Sequence, residues 1–181
     1  MMYKEEEKAI AAIHRALELG ISYFDTAASY GKGVSEEWVG KALAGRKDVF
    51  LVTKVSQRQA DEAMRTIEAS LKKLRRNPDL IHIHALASAE DLAAIEASDG
   101  VLNLLYKLRD QKVCRFIGVT CHADPAALKT MLERHDLDCV QMALNAAMAT
   151  MAEGRSRGYS PETQRSATFE ELALPVALRK K

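Results

Sequence analysis

Apolar residues along this chain alternate between two patterns. Short unbroken runs, such as Val49-Phe50-Leu51-Val52-Thr53 and Leu80-Ile81-His82-Ile83, read as strands buried on both faces. Between them, apolar positions recur at the three-to-four spacing of an amphipathic helix. Strands are expected to begin near Ile21, Val49, Leu80, Phe116 and Cys139. Over residues 5–19, Ala9, Ile10, Ala12, Ile13, Ala16 and Leu17 share one helix face, and Gly20 suits the left-handed position after it. The second helix is expected to use Ser35 as N-cap with Glu36 and Glu37 in its first turn, to bury Trp38, Val39, Ala42 and Leu43, and to stop at Gly45. Residues 61–75 set Met64, Ile67, Leu71 and Leu74 against a solvated Lys/Arg face. Ser98-Asp99-Gly100 splits the next helix in two, and Ser88 and Asp91 open its first piece in a capping-box arrangement. Asp124-Pro125 starts another, with proline at the first helical position. The last opens with the capping box Thr168-Phe169-Glu170-Glu171 and is expected to kink at Pro175.

Strands alternating with helices imply a parallel α/β sheet. Asp25, Tyr30, Lys54 and His84 all fall at or just beyond the C-terminal ends of strands, the face on which (β/α)8 TIM-barrel enzymes assemble their sites. An open doubly wound sheet would instead carry a glycine-rich phosphate turn after its first strand, and no G-x-G-x-x-G occurs. The expected fold is therefore of TIM-barrel type. A full barrel takes about 250 residues, so these 181 residues should hold about five βα units of an incomplete one, forming a single domain over residues 1–181. The polar stretch 150–167, rich in Gly, Ser and Arg, is long for a barrel loop and is expected to be mobile; Arg155, Arg157 and Arg165 within it read first as solvated.

With 48% apolar and 28% charged residues, the composition is that of a soluble globular domain. Twenty-six basic against 25 acidic residues leave a net charge of +1, which gives no support to a nucleic-acid stripe or a membrane-surface patch. Cys114, Cys121 and Cys139 are an odd set without C-x-x-C spacing, which argues against a disulfide framework or a metal cluster and for free thiols in a reducing cytoplasm. The polar N-terminus does not read as a signal peptide, and no run approaches the length of a membrane span.

Taken singly, an aspartate after a strand is usually a cap, a loop tyrosine a packing residue, and a lysine solvated. Their joint order carries more weight. Asp25-Thr26-Ala27-Ala28-Ser29-Tyr30-Gly31, the strand end Val52-Thr53-Lys54 and the run from Asp79 to His84 match D-T-A-x-x-Y-G, a strand ending in Lys, and D-L-x-x-I-H. In these motifs, and further along Phe116-Ile117-Gly118-Val119-Thr120-Cys121-His122 and Cys139-Val140-Gln141-Met142-Ala143-Leu144-Asn145, the chain resembles the aldo-keto reductase family. The resemblance implies reduction of a small aldehyde or ketone by NADPH or NADH. Tyr30 would be the general acid, Lys54 would favour its phenolate form, Asp25 would fix Lys54, and His84 would orient the substrate oxygen. Thr120 and Gln141 would meet the nicotinamide carboxamide. Many relatives have an asparagine where this chain has Cys121, which cannot replace an amide contact. His122 either lines the site or caps the following turn. His82 reads as a buried structural residue one layer deeper than His84, and His14 and His135 read as surface residues.

Relative to the family pattern, strands one, seven and eight are expected to be missing, and with them the aromatic that stacks on nicotinamide and the basic pocket for the adenosine phosphate. An open wall with two free edges and an apolar interior favours self-association. Two other readings stay open. One is a truncated, inactive relative that keeps these residues by descent; the other is a Schiff-base barrel enzyme using Lys54.

Overall fold

The computed structural model describes residues 5–144 and 168–180. The expected loop 150–167 with Arg155, Arg157 and Arg165, and Asn145, lie outside the described residues. Five strands, β1 (Tyr23–Asp25), β2 (Phe50–Val55), β3 (Leu80–Leu86), β4 (Phe116–Cys121) and β5 (Cys139–Met142), form one parallel sheet in that order. The helices are α1 (Glu6–Glu18), α2 (Val34–Ala42), α3 (Ala60–Leu74), α4 (Ala89–Glu96), α5 (Val101–Asp110), α6 (Pro125–Arg134) and α7 (Phe169–Arg179). The result is a curled parallel half-barrel with helices outside.

Side chains alternate between faces along a strand, and paired positions of parallel neighbours share one. Register places Tyr23 beside Phe50, Lys54 beside His82, His82 beside Gly118, and Thr120 beside Gln141. These residues point inward, where the rings of Tyr23 and Phe50, and of Phe50 and Phe116, stack at 5.5 and 5.9 Å. The alternate positions, Leu51, Val55, Ile81, Ile83, Ile117 and Val119, point outward and are at most 1% exposed. They pack under the apolar faces of the helices: Val101, Leu102, Leu105 and Leu108 of α5, Ala127, Leu128, Met131 and Leu132 of α6, and Phe169, Ala173 and Val176 of α7. A smaller cluster of Val39, Leu43, Val49, Leu51 and Leu74 receives Ile13 and Leu17 of α1.

Most helix ends follow local chemistry. Asp124 caps α6 through Ala126 N and Ala127 N with Pro125 in the first turn, and Thr168 and Glu171 close a capping box on α7, which runs on through Pro175. Two starts differ from expectation. Ser35 is not the cap of α2. A 3-10 turn, Tyr30–Gly33, leads directly into that helix and left-handed Gly33 occupies the cap, while the Ser35 hydroxyl meets that of Thr26 at 2.8 Å. Glu36, placed in the first turn as expected, is fully buried beneath β2 and accepts the Thr53 hydroxyl at 2.6 Å. In α4, Ser88 accepts from Asp91 N as expected, but the Asp91 carboxylate reaches Ala87 N rather than that of Ser88.

The N-terminal ends of the strands are tied by carboxylates. Asp79 accepts from Leu51 N and pairs with Arg76 and Arg115, and Asp138 accepts from Ile117 N and pairs with Arg109. Among the described residues no helix is long and apolar enough to cross a membrane.

Candidate active site

At the other end of the sheet, β1 and β2 deliver Asp25 and Lys54 side by side. The Lys54 ammonium is almost wholly buried and donates to Asp25 Oδ2 at 2.5 Å and to the carbonyl of Thr26 at 2.9 Å. A buried ammonium is tolerated when a carboxylate and further acceptors replace its water. Asp25 keeps a quarter of its side-chain surface exposed and thus faces the open lumen. The chain then turns sharply. Gly31, Lys32 and Gly33 all have positive φ (59, 57 and 90°), a run in which two glycines spare the left-handed cost that Lys32 bears, and it stands Tyr30 over Lys54. The ammonium lies 4.8 Å from the Tyr30 ring centroid, within cation–π range.

His84 completes the group from β3, its ring edge-on to Tyr30 with centroids 5.8 Å apart. The sequence reads His84 as the end of its strand, but β3 continues to Leu86 across a register shift between Ile83 and Leu86. Ala85 takes φ 56° in this bulge, a conformation costing an alanine about 1–2 kcal/mol. His84 keeps the inward direction of His82 two residues before it, and the bulge that follows does not end the ladder. Its Nδ1 lies 3.3 Å from Ser56 Oγ. Burial pushes the His84 imidazole below its ordinary pKa, and the charges of Lys54 and then His122 act the same way, against Asp25. Near neutrality the ring is therefore uncharged. If Ser56 donates to Nδ1, the ring proton sits on Nε2 and can be donated.

His82 lies one layer down, as the sequence suggests. It is fully buried, both ring nitrogens lack partners among the described residues, and burial, Lys54 and His84 push its pKa down to about 3. Its ring lies against Gly118, where an added Cβ would come within 2.6 Å of Nδ1. Thr120 is buried beside β3 and its hydroxyl oxygen accepts from Ala85 N at 2.8 Å, which leaves its own proton to donate; Gln141 is exposed on the inner face. Cys121 points to the other side, its thiol against the carbonyl of Leu86 at 3.0 Å, so it stands away from the lumen. His122 is exposed at the strand end. His14 is exposed yet bonded to the carbonyl of Ala42, and His135 is half-buried against Glu96 at 2.6 Å. All three cysteines are free thiols.

Two residues that shape the site escape the sequence reading. Arg58, in the loop after β2, donates to the carbonyls of His84 and Ala85 and to both oxygens of Asp91. A loop arginine ordinarily reads as solvated, and Asp91 reads only as a helix cap, so no local signal joins them across 33 residues. A cleft of about 660 Å³ between α2 and α3 is lined by Glu36 and Gln57, whose buried Oε2 and Oε1 atoms have no hydrogen-bond partner among the described residues.

The Aldo/keto reductase family is matched by its sequence model over residues 2–157. The methylglyoxal reductase YeaE of Escherichia coli (strain K12) is 38% identical over 101 residues, which are 51% of this chain and 35% of that protein. An aldo-keto reductase of Bacillus halodurans in its holo form superposes with a TM-score of 0.69 at 25% identity, covering 94% of this chain and 67% of that one. An aldo-keto reductase of Klebsiella pneumoniae in complex with NADPH superposes with a TM-score of 0.60 at 28% identity, covering 72% and 44%. The chain spans less than half the length of the curated relatives it matches.

Proposed function

The chain belongs to the aldo/keto reductase family, and on that footing we propose that it reduces the carbonyl group of a small aldehyde or ketone with NADPH or NADH, Asp25, Tyr30, Lys54 and His84 carrying the proton side of the reaction. The observation that carries this reading is the single cluster they make: an ammonium held between Asp25 Oδ2 at 2.5 Å and the Tyr30 ring at 4.8 Å, with His84 edge-on to the same ring. When bound, a reduced nicotinamide supplies the hydride that the carbonyl carbon takes.

The oxygen must then gain a proton. Tyr30 Oη gives it, and the phenolate left behind is stabilised by the Lys54 ammonium, which Asp25 keeps in place. His84, uncharged near neutral pH, donates from Nε2 to the substrate oxygen and so fixes where it lies. The remaining donors suit a nicotinamide carboxamide, a group with one acceptor and two donors. Thr120 retains a hydroxyl proton to give, and Gln141 is exposed on the inner face with both halves of its amide to offer. The Schiff-base alternative is less well supported, because a lysine paired with a carboxylate is held protonated and is a poor nucleophile.

The protein is proposed to work in the cytoplasm, in keeping with its three free thiols. The inner face leaves Tyr23 50% exposed, and we infer that a second copy covers it, which size-exclusion chromatography reads as a dimer. The first test is calorimetric titration of the folded chain with NADPH and NADH, followed by consumption of NADPH with methylglyoxal as the probe carbonyl. Binding and turnover support the reading; a folded chain that takes up neither nucleotide sinks it and favours the inactive alternative.

A further inference from the structure

The guanidinium of Arg58 is shared between the two strand ends that carry the site. Nε and Nη2 donate to the two carboxylate oxygens of Asp91 at 2.7 and 2.8 Å, Nη1 donates to the carbonyl of Ser56 at 3.1 Å, and Nη2 also reaches the carbonyls of His84 and Ala85 at 3.0 and 3.3 Å. Asp91 Oδ2 in turn accepts from Ala87 N at 2.9 Å. Each of the two side chains is only 19% exposed. The anchor of this clasp is fixed as well: the carbonyl of Arg58 accepts from Val101 N at 2.7 Å, and Gln59 bridges to Gly100. The clasp therefore ties the end of β2, the bulge of β3 and the first turn of α4 to the start of α5.

We propose that Arg58 and Asp91 are positioning residues for His84, holding the backbone at His84 and Ala85 in the place that keeps its imidazole against Tyr30 and the substrate oxygen. The consequence for turnover rests on the reductase reading; the consequence for geometry does not. An alanine with φ 56° persists only where its surroundings over-determine it. Ala85 is gripped from both sides, its N–H by Thr120 Oγ1 and its carbonyl by Arg58. Release of the carbonyls of His84 and Ala85 frees the bulge to relax, which shifts the backbone carrying the imidazole and moves the ring relative to Tyr30. The planar fork of arginine matches a carboxylate and several carbonyls at once, which the single ammonium of lysine cannot do.

The test is NMR of the full chain labelled with ¹⁵N-histidine, comparing the unmutated protein with Arg58→Met, Arg58→Lys and Asp91→Asn, together with a denaturation curve for each. In Arg58→Met and Asp91→Asn the His84 ring resonances move and its nuclear Overhauser contact with Tyr30 is lost, while those of His135 stay in place; Arg58→Lys restores the contact in part. Variants that lose stability but keep the His84 shifts, its titration midpoint and the contact with Tyr30 would overturn the proposal and leave the clasp a purely structural one. Should Arg58→Met not fold, Asp91→Asn, which keeps its shape and one acceptor, decides the question. With NADPH and methylglyoxal, kcat falls about 10- to 100-fold in Arg58→Met while nucleotide affinity is unchanged. No turnover in the unmutated chain counts against the reductase reading alone, since the NMR comparison needs neither cofactor nor substrate.

Discussion

The two ends of this sheet both set carboxylates against cations, and they use them differently. At the N-terminal end, Asp79 gives one oxygen to Leu51 N and shares the rest of its capacity between Arg76 and Arg115. At the C-terminal end, Asp25 meets the buried ammonium of Lys54, and beside that pair stand a phenol and an imidazole whose outer atoms face the lumen. A carboxylate saturated by backbone amides and guanidinium groups fixes strand register. A carboxylate that holds one ammonium under a phenol leaves polar atoms for something else to meet. In barrels the same division separates the stabilising face from the chemical face.

Substitutions at the two ends should accordingly separate activity from stability. The largest effect is expected from Tyr30→Phe, which keeps the ring over Lys54 but removes the proton donor: NADPH-dependent turnover falls by about 10²–10⁴-fold, while nucleotide affinity by calorimetry and the melting temperature hold. At the opposite end, Asp79→Ala strands the buried amide of Leu51 and should cost about 1–3 kcal/mol in urea denaturation. Equal loss of stability from Tyr30→Phe would blur the division of labour.

Acid offers a test of the layer between the two ends. His82 has its pKa lowered to about 3, so between the unfolded value near 6.5 and that figure the unfolded chain binds the extra proton. The neutral ring's contribution is thus fully present above pH 6.5 and is lost as pH falls. Stability should drop by about 2 kcal/mol between pH 6.5 and 5 on this account, with His84 adding in the same direction. His82→Leu should flatten that slope in denaturation curves measured at the two pH values. An unchanged slope would place the acid sensitivity elsewhere. The smallest effect is that of Ala85→Gly, which removes the left-handed penalty at the bulge and should change stability by about 1 kcal/mol or less, toward greater stability. A clear loss would mean that the alanine methyl makes contacts worth more than the strain.

Much of this was legible beforehand because it is local. Apolar runs, helical spacing, the stop at Gly20 and the caps at Asp124 and Thr168 are decided within a few residues, and the described strands and helices begin within a residue or two of where those signals put them. The burial of His82 beneath His84 follows from its place two residues earlier on the same strand. Errors arose where a residue's partner is distant. Ser35 looks like a cap until Thr26 takes its hydroxyl, and nothing local announces that Thr53 will bury Glu36.

The sequence by itself determined the alternation of strand and helix, and the placement of Asp25, Tyr30, Lys54 and His84 after strands. Periodicity and strand-end position are properties of one chain segment at a time. Only the tertiary structure decided that the Lys54 ammonium lies between Asp25 and the Tyr30 ring, that β3 bulges at Ala85 rather than ending at His84, and that Arg58 and Asp91 close behind it. Those depend on how neighbouring strands register and on which buried donors and acceptors remain to be satisfied once they pack. Hydrogen bonds across about thirty residues are written in the folded backbone, where desolvation makes each unpaired group costly.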